Sequence, residues 1–461
     1  MKHQKKIIIL ITIVIIFIAY IFINTSSEAN RQYLKTVFNH DQIEFIKKYF
    51  FPYDTISQQK KIISNLNNQQ LLVKNRLIDF ELSIKNNLID LTTNEPQTIN
   101  LTQNLILKKH SFQTGFTLGV KNIFPGSGYL DFHNENLVVL SAQGILGYKT
   151  TDSDELEFKQ IKNNIEKFIN KKQFIKSNEF SIKDLHIYNN KIFISYTEEI
   201  EKNCWNIGVI FSEMNFQNIN FKQLFSSSDC IHSENNPDKE FNATGSGGRI
   251  VGFDNNHILL SVGEFKSRYL AQDKTSINGK IINININDYK YKVISMGHRN
   301  PQGLYFDKQN NFILETEHGP QGGDEINLIE LDILNEIDIP NYGWAIASAG
   351  EHYRGKTEGN KLKYEKYPLF NSHLDHGFIE PLKSFVPSIG ISEITKIRNN
   401  FYVLSSLRDR SIYFFNLNEE NSIVNFSRVE VFERVRDMVY KNNKLYLFLE
   451  DTASIGIIEI P

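Results

Sequence analysis

An asparagine-bearing turn followed at once by a short β-rich strand recurs six times along this chain. The segments are NENLVVLS (134–141), NNKIFIS (189–195), NNHILLS (255–261), NNFILET (310–316), NNFYVLS (399–405) and NNKLYLF (442–448). Asn tolerates left-handed backbone geometry, so each cluster suits a tight hairpin turn. The hydrophobic strand that follows has the period-two, β-branched and aromatic character of a half-buried strand. The units start 43 to 89 residues apart, so the variable lengths are loops inserted on a common scaffold. No helix pattern between them is long enough for a βαβ crossover. Six such units predict an all-β, six-bladed β-propeller over residues 96–461; a sandwich has no need of six similar units.

Two segments precede it. Lys2, Lys5 and Lys6 lead into 17 uncharged residues, Ile7 to Ile23. As a helix that run is about 25 Å long, the short end of what spans a bilayer. Flanking lysines stay cytoplasmic. Residues 1–24 therefore predict a single-pass membrane anchor with the bulk of the chain on the outer, periplasmic or extracellular, side. The alternative, a cleaved signal, has only Ser27-Glu28-Ala29 as a poor processing site. Residues 25–95 read as a helical stalk or linker. Thr55-x-x-Gln58 forms a capping box, Leu66, Val73 and Phe80 repeat at seven, and Leu77 and Ile84 form a second row with Gln70 its polar member. The resulting helix, over 57–90, is about 50 Å long. It is either a stalk that joins copies into a homo-oligomer or an amphipathic helix packed on its own domain.

A formal charge of −2 and a pI near 6.7, with no basic stripe interleaved with aromatics, argue against nucleic acid as a partner. Cys204 and Cys230 are the only cysteines. Outside the cytoplasm they either pair, closing a loop worth roughly 3 kcal/mol in the chain-entropy view, or stay two separate buried thiols. With no C-x-x-C, structural zinc is not indicated.

Residues 316–329, TEHGPQGGDEINLI, follow the fourth repeat strand directly. Gly and Pro at this density make an ordered turn that aims backbone groups at a ligand. No helix with a Lys-Ser/Thr follows, which excludes a phosphate loop, whereas carbonyls suit a hard cation such as calcium. A Gly-rich hairpin turn with solvated acids is the other reading. On a propeller, a loop between strands is where a site is expected.

Upstream of this stretch stands GHRNPQGLYF (297–306), and downstream NYGW (341–344). The three blocks, in this order, resemble the soluble pyrroloquinoline-quinone-dependent glucose/aldose sugar dehydrogenases, whose domain is also called the glucose/sorbosone dehydrogenase fold. The match is dense over 297–344, piecewise to about 437, and faint before 240. It implies a six-bladed propeller, in agreement with the repeats, and two cofactors, pyrroloquinoline quinone and Ca2+. Carried over by position, the resemblance gives Arg299 and Asn300 to the quinone. It gives the carbonyls of Gly319 and Pro320 to calcium, with Asp324 and Glu325 in support. VPSIG (386–390) places Ser388 near the cofactor, and SSLRDR (405–410) puts Arg408 where the family has a Lys. ERVRDM (433–438) matches an R-x-R-D element, giving Arg434 and Arg436. Two guanidiniums alternating on one strand face suit a polycarboxylate through paired hydrogen bonds, and this quinone has three carboxylates.

The family's base, a His ahead of an S-G-R element, is missing. In NATGSGGRIVGFD (242–254) its position falls on Thr244 or Gly245, neither of which takes a proton near neutral pH. His232 and His318 are candidates to fill the gap, each also readable as a structural histidine. The catalytic residue is thus unknown. The expected function is a membrane-anchored quinoprotein oxidising a sugar or related alcohol, with hydride transfer to calcium-bound quinone and an unknown electron acceptor. The alternative is a catalytically inactive propeller that binds a ligand or protein partner. A calcium-dependent hydrolase on the same fold needs inward Asp, Glu and Asn around the axis, an ordering the sequence does not display.

Overall fold

The computed structural model describes residues 12–17, 41–42, 52–119, 126–150, 156–331 and 339–461. The chain divides into two compact units, Met1–Val73 and Lys74–Pro461. Of the apolar run 7–23, only Thr12–Phe17 lies among the described residues, where it is helical; the rest of the expected anchor lies outside them. Among the described residues no helix is long and apolar enough to cross a membrane.

A helix, α1, runs over Pro52–Asn86. Its end falls at Asn86, short of residue 90, where Leu88 takes a positive φ of 49°. The Thr55–Gln58 capping box lies inside the helix and not at its start, because Pro52, a residue favoured in a first helical turn, already belongs to it. The heptad row points to solvent within the chain, with Leu66, Val73 and Phe80 all about half exposed. The second row, Leu77 and Ile84, does pack: with Ile78, Glu81 and Lys85 it forms the stripe that faces the propeller. Glu81 is the polar anchor of that contact. Its Oε2 accepts from the Thr117 amide (2.8 Å), the Thr117 hydroxyl (2.6 Å) and the Gln143 amide (2.8 Å). Over Lys74–Asn86 the helix is therefore an amphipathic element on its own domain.

The rest is a propeller of six antiparallel sheets. Their innermost strands are Gly128–His133, Ile182–Tyr188, Gly247–Asp254, Pro301–Asp307, Ile391–Arg398 and Val435–Lys441, and these meet in a closed ring. Each of the six repeat segments supplies the second strand of its blade, from Asn136–Ser141 in blade 1 to Lys444–Leu449 in blade 6. Asn134, Asn189, Asn311, Asn399 and Asn442 adopt positive φ in five of the six turns, as the hairpin geometry requires. Leu91–Thr92 already pairs with blade 1, and Gln97–Asn100 and Ile106–Ser111 complete blade 6 beside the C-terminal Ser454–Glu459. The sheet assembly thus begins before residue 96, and blade 6 joins strands from the start and the end of the propeller segment, which closes the ring. Apolar side chains between blades form the core, such as Ile258, Leu260 and Val262 against Phe193, Ile207 and Val209. Each such side chain contributes about 1.5–3 kcal/mol. Cys204 and Cys230 form a disulfide in blade 2.

Candidate active site

Blades 2 to 6 share a departure from regular pairing at the same end of their innermost strands. The register slips at Lys183, at Gly248–Arg249, at Gln302, at Ser392–Glu393 and at Arg436, whereas blade 1 pairs without a break. A bulge leaves an extra residue unpaired and re-aims its side chain. Here Lys183, Arg249, Gln302 and Arg436 all line one cavity of about 650 Å³. The loops joining second to third strands in blades 4 and 5 line the same cavity through Gly319, Pro320 and Arg408.

Arg249 stands over the axis. It reaches Asp184 of blade 2 (2.6 Å), Glu393 of blade 5 (2.6 Å) and Asp437 of blade 6 (2.7 Å). Asp184 also accepts from the Ile250 amide (2.7 Å) and Asp437 from Leu130 (2.7 Å), so each acid stitches one blade to the next. Burial pushes the Asp184 carboxyl up to about 7 and raises Glu393 as well, against the pull of Arg249. The ring of inward acids therefore exists, but a guanidinium fills it.

All eight sequence-predicted site residues line the cavity: Arg299, Asn300, Gly319, Pro320, Ser388, Arg408, Arg434 and Arg436. Their environments differ. Arg299 donates to the His318 carbonyl (2.6 Å) and lies 5.4 Å from the Trp344 ring centre. Asn300 is buried, and its Oδ1 accepts from the Gly247 amide (3.1 Å) and from Gln302 (2.9 Å). It joins blades 3 and 4 more than it faces a ligand. Arg434 and Arg436 converge on Glu450, which the sequence reading did not include. Arg434 Nε is 3.0 Å and Arg436 Nη2 2.8 Å from its carboxylate. Burial alone raises an acid, yet the two guanidiniums hold Glu450 down at about 2. The pair thus brings one net positive charge to the cavity, not two. Arg408 is exposed and unpaired among the described residues, its loop resting on residues 389–390 through Arg408 N to the Ile389 carbonyl (3.0 Å) and Leu407 N to the Gly390 carbonyl (2.7 Å).

The Gly-rich loop is as tight as its composition suggests. A Cβ on Gly319 would fall 1.9 Å from the Gly323 carbonyl oxygen, and Gly323 itself has φ +71°. Asp324 fixes the loop with one oxygen accepting from Gly319 N (3.0 Å) and the other from Gly390 N (2.6 Å) and Ile391 N (3.1 Å). Glu325, by contrast, belongs to a buried acidic patch with Glu315 and Glu317 on the facing strand, capped by His298. Burial and the Glu317 charge hold Glu315 and Glu325 well above the usual carboxylate range. Glu317 also accepts from the amides of Arg299 and Asn300, so the patch supports that corner from below.

The cavity wall carries polar atoms with no partner among the described residues: Ser388 Oγ, His318 Nε2 and Glu264 Oε2 are buried without a hydrogen bond. Seven Lys and Arg face three carboxylates in its lining. The carbonyls of Gly319 and Pro320 accept no hydrogen bond among the described residues. Orphaned polar atoms, an excess of cations and two free hard oxygen donors fit an anionic cofactor with a calcium ion.

Thr244 and Gly245 both line the cavity, and Thr244 is occupied in capping a short turn through Asn242 (N to Oδ1, 2.7 Å). His232 does not reach it; it lies on a short exposed strand paired with Cys204. His318 does line it, with Nδ1 3.4 Å from the Asn300 amide nitrogen and its basicity lowered by burial. Two residues that the sequence reading missed ionise near neutrality. Burial pulls the Lys183 amine down to about 7, and burial raises Glu264 to about 7. Lys183 Nζ donates to the carbonyls of Glu179 (2.6 Å) and Ala243 (3.1 Å), the latter two residues from Gly245.

The sequence profile of the Glucose / Sorbosone dehydrogenase family matches residues 181–458, more than half of the chain, and the chain belongs to that family. Aldose sugar dehydrogenase YliI of Escherichia coli is 32% identical over 141 residues, covering 27% of this chain and 36% of that protein. Quinoprotein glucose dehydrogenase B of Acinetobacter calcoaceticus is 39% identical over 75 residues, 16% of this chain and 12% of its own length. An uncharacterized Synechocystis protein, slr1608, is 29% identical over 222 residues, 42% of this chain and 50% of that one. The chain thus spans half or less of these curated relatives. Two solved structures share the fold. Apo aldose sugar dehydrogenase from Escherichia coli has a TM-score of 0.56 at 18% identity, covering 72% of this chain and 96% of that one. The PQQ-bound aldose sugar dehydrogenase from Streptomyces coelicolor has a TM-score of 0.52 at 17% identity, covering 72% and 98%.

Proposed function

We propose that the protein is a pyrroloquinoline-quinone- and calcium-dependent dehydrogenase that oxidises an aldose or related alcohol at C1. One observation carries the reading: cations, orphaned polar atoms and free loop carbonyls from blades 3 to 6 converge on one cavity. Arg299, Arg408, Arg434 and Arg436 would hold the carboxylates of the quinone, and Ser388 Oγ a further polar edge. Gly319 and Pro320 would offer their carbonyls to calcium. The bound quinone supplies a hydride acceptor. The chain itself must take the proton of the C1 hydroxyl, and Lys183 is the group placed for it. A neutral amine has two N–H donors and one lone pair; the Glu179 and Ala243 carbonyls use the donors and leave the lone pair for a substrate. The run 7–23 anchors the chain with its propeller outside the cytoplasm, which a C-terminal tag's protease accessibility tests.

The decisive experiment is an absorbance titration of the purified protein with the quinone, with and without calcium, followed by aldose oxidation with a dye acceptor. Calcium-dependent saturation with turnover supports the reading. Saturation without turnover leaves a ligand-binding propeller, a reading that Thr244 or Gly245 in place of the family's histidine would favour. No saturation refutes both cofactor assignments.

A further inference from the structure

A second cavity, of about 270 Å³, adjoins the first and shares Lys266, Arg299, Pro320 and Tyr353 with it. Its remaining wall comes from Arg268, the 352–354 segment, Trp344 and Lys363. Five Lys and Arg face a single carboxylate, Glu240. That carboxylate is spent on Arg268 (2.7 Å) and on Lys363. Lys266 and Arg354 have no ion pair among the described residues; the nearest recorded partner of the Lys266 amine is the Tyr353 ring, 5.9 Å to its centre. Two buried donors on this wall, Arg268 Nε and Trp344 Nε1, have no acceptor among the described residues. Orphaned buried donors beside unpaired cations call for an acceptor that is negatively charged. Arg268, Arg354 and Lys363 line only this second cavity, so they are not part of the wall assigned to the cofactor. Lys266 stands at the junction with φ +68° after Phe265 at +51°, a left-handed pair that is costly for such residues and holds its amine between the two spaces.

We propose that the second cavity is a subsite for an acidic group on the substrate, so that the enzyme's sugar is an aldose carrying a carboxylate or phosphate ester away from C1. This rests on the dehydrogenase reading above. Tyr353 and Trp344 give the sugar ring an aromatic platform, and Arg354 and Lys266 meet its charge. The volume, near the lower end for small-molecule pockets at about 300 Å³, admits one such group and part of a ring.

The test compares glucose, glucuronate and glucose 6-phosphate as substrates of the full chain loaded with quinone and calcium. The acidic sugars should show a KM about tenfold below that of glucose, with the gap closing at high salt. Arg354→Ala should raise the KM of the preferred acidic sugar about five- to tenfold, with Arg354→Lys recovering part of it. The glucose KM and the quinone titration midpoint should stay where they were. Whichever acid gains more identifies carboxylate or phosphate as the group. Equal KM values for all three sugars overturn the proposal, as does an Arg354→Ala effect confined to the quinone midpoint. Calorimetry of the unloaded protein with glucuronate and glucose 6-phosphate separates the two levels of the argument. If the quinone never binds, the dehydrogenase reading falls, while binding of either sugar that Arg354→Ala abolishes sustains the subsite and its absence removes it.

Discussion

Gly245→His is the substitution that asks most of this site. Position 245 accepts a side chain. A Cβ there meets Phe265 Cα at 3.7 Å, Phe265 N at 3.8 Å and Lys266 N at 4.0 Å, all ordinary contacts, and its φ is not in the left-handed region. Gly247 offers no such room, since its Cβ would lie 2.8 Å from Gly263 N at φ +63°. Thr244 is a poorer host than Gly245 because its hydroxyl and amide both bind Asn242 Oδ1. Replacing an unstrained glycine also removes freedom from the unfolded chain, about 0.4–1 kcal/mol in favour of the variant. Stability should therefore hold or rise slightly, and any gain in rate is not a folding artefact. A positioned general base is worth about 10²–10⁴-fold. On the proposed role of Lys183 as proton acceptor, wild type has part of that already. The clean comparison is Lys183→Met against Lys183→Met/Gly245→His. The single variant should lose about 10²-fold or more in aldose oxidation, and the double variant should regain it. The readout is steady-state rate against pH in protein shown by titration to hold the quinone. A recovered imidazole adds an inflection near pH 6.5, where an ordinary histidine titrates. A double variant that folds, holds the cofactor and stays inactive refutes the placement of both residues at the substrate hydroxyl.

Three other outcomes follow from the geometry. Arg436→Met should weaken quinone binding about 30- to several-thousand-fold in the absorbance titration, and adding Glu450→Gln should recover stability but not affinity. Glu450 sets an acid limit: its folded-state value of about 2 lies below the ordinary 4.5, so its contribution is complete above pH 4.5 and lost as pH falls through about 2. At roughly 1.4 kcal/mol per pH unit that is about 3 kcal/mol, which Glu450→Gln should remove, flattening the acid limb of a denaturant-melt series. Gly319→Ala should abolish calcium-dependent quinone binding while leaving the thermal transition of the propeller near wild type, since the clash is confined to the 318–323 loop.

What the sequence made legible was local. An Asn that needs positive φ and a strand that alternates are both properties of eight consecutive residues, so all six blades could be counted. The crowding that makes Gly319 obligatory likewise acts within five residues. What stayed hidden is held across blades or across strands. Arg249 and Asp437 are 188 residues and three blades apart, and Arg436 finds Glu450 in the turn just after the next strand of its own blade, so no spacing rule connects either pair. The bulges hid Lys183 and Gln302 in another way, by breaking the alternation from which a strand's inward residues are read. Helix α1 stayed ambiguous for a third reason: one of its two apolar rows, Leu66, Val73 and Phe80, is exposed, while the other, Leu77 and Ile84, packs together with Glu81 and Lys85, polar residues satisfied only by tertiary partners.

The bulges also explain how one scaffold holds both a plug and a pocket. In a regular innermost strand, side chains alternate between the two faces of the blade, and none is directed along the axis. Each extra residue in blades 2 to 6 breaks that rule at the same level of the ring. Two of the breaks, at Gly248–Arg249 and Ser392–Glu393, bring an ion pair onto the axis and close the channel. Three others, at Lys183, Gln302 and Arg436, put an amine, an amide and a guanidinium above it. The floor is neutralised by Asp184, Glu393 and Asp437, while the walls keep an excess of cations. Positive charge is thus concentrated where the proposed anionic cofactor would enter and cancelled where it would repel itself across a dry axis. Charge separation of this kind needs no residue to be unusual; it needs five bulges at one height.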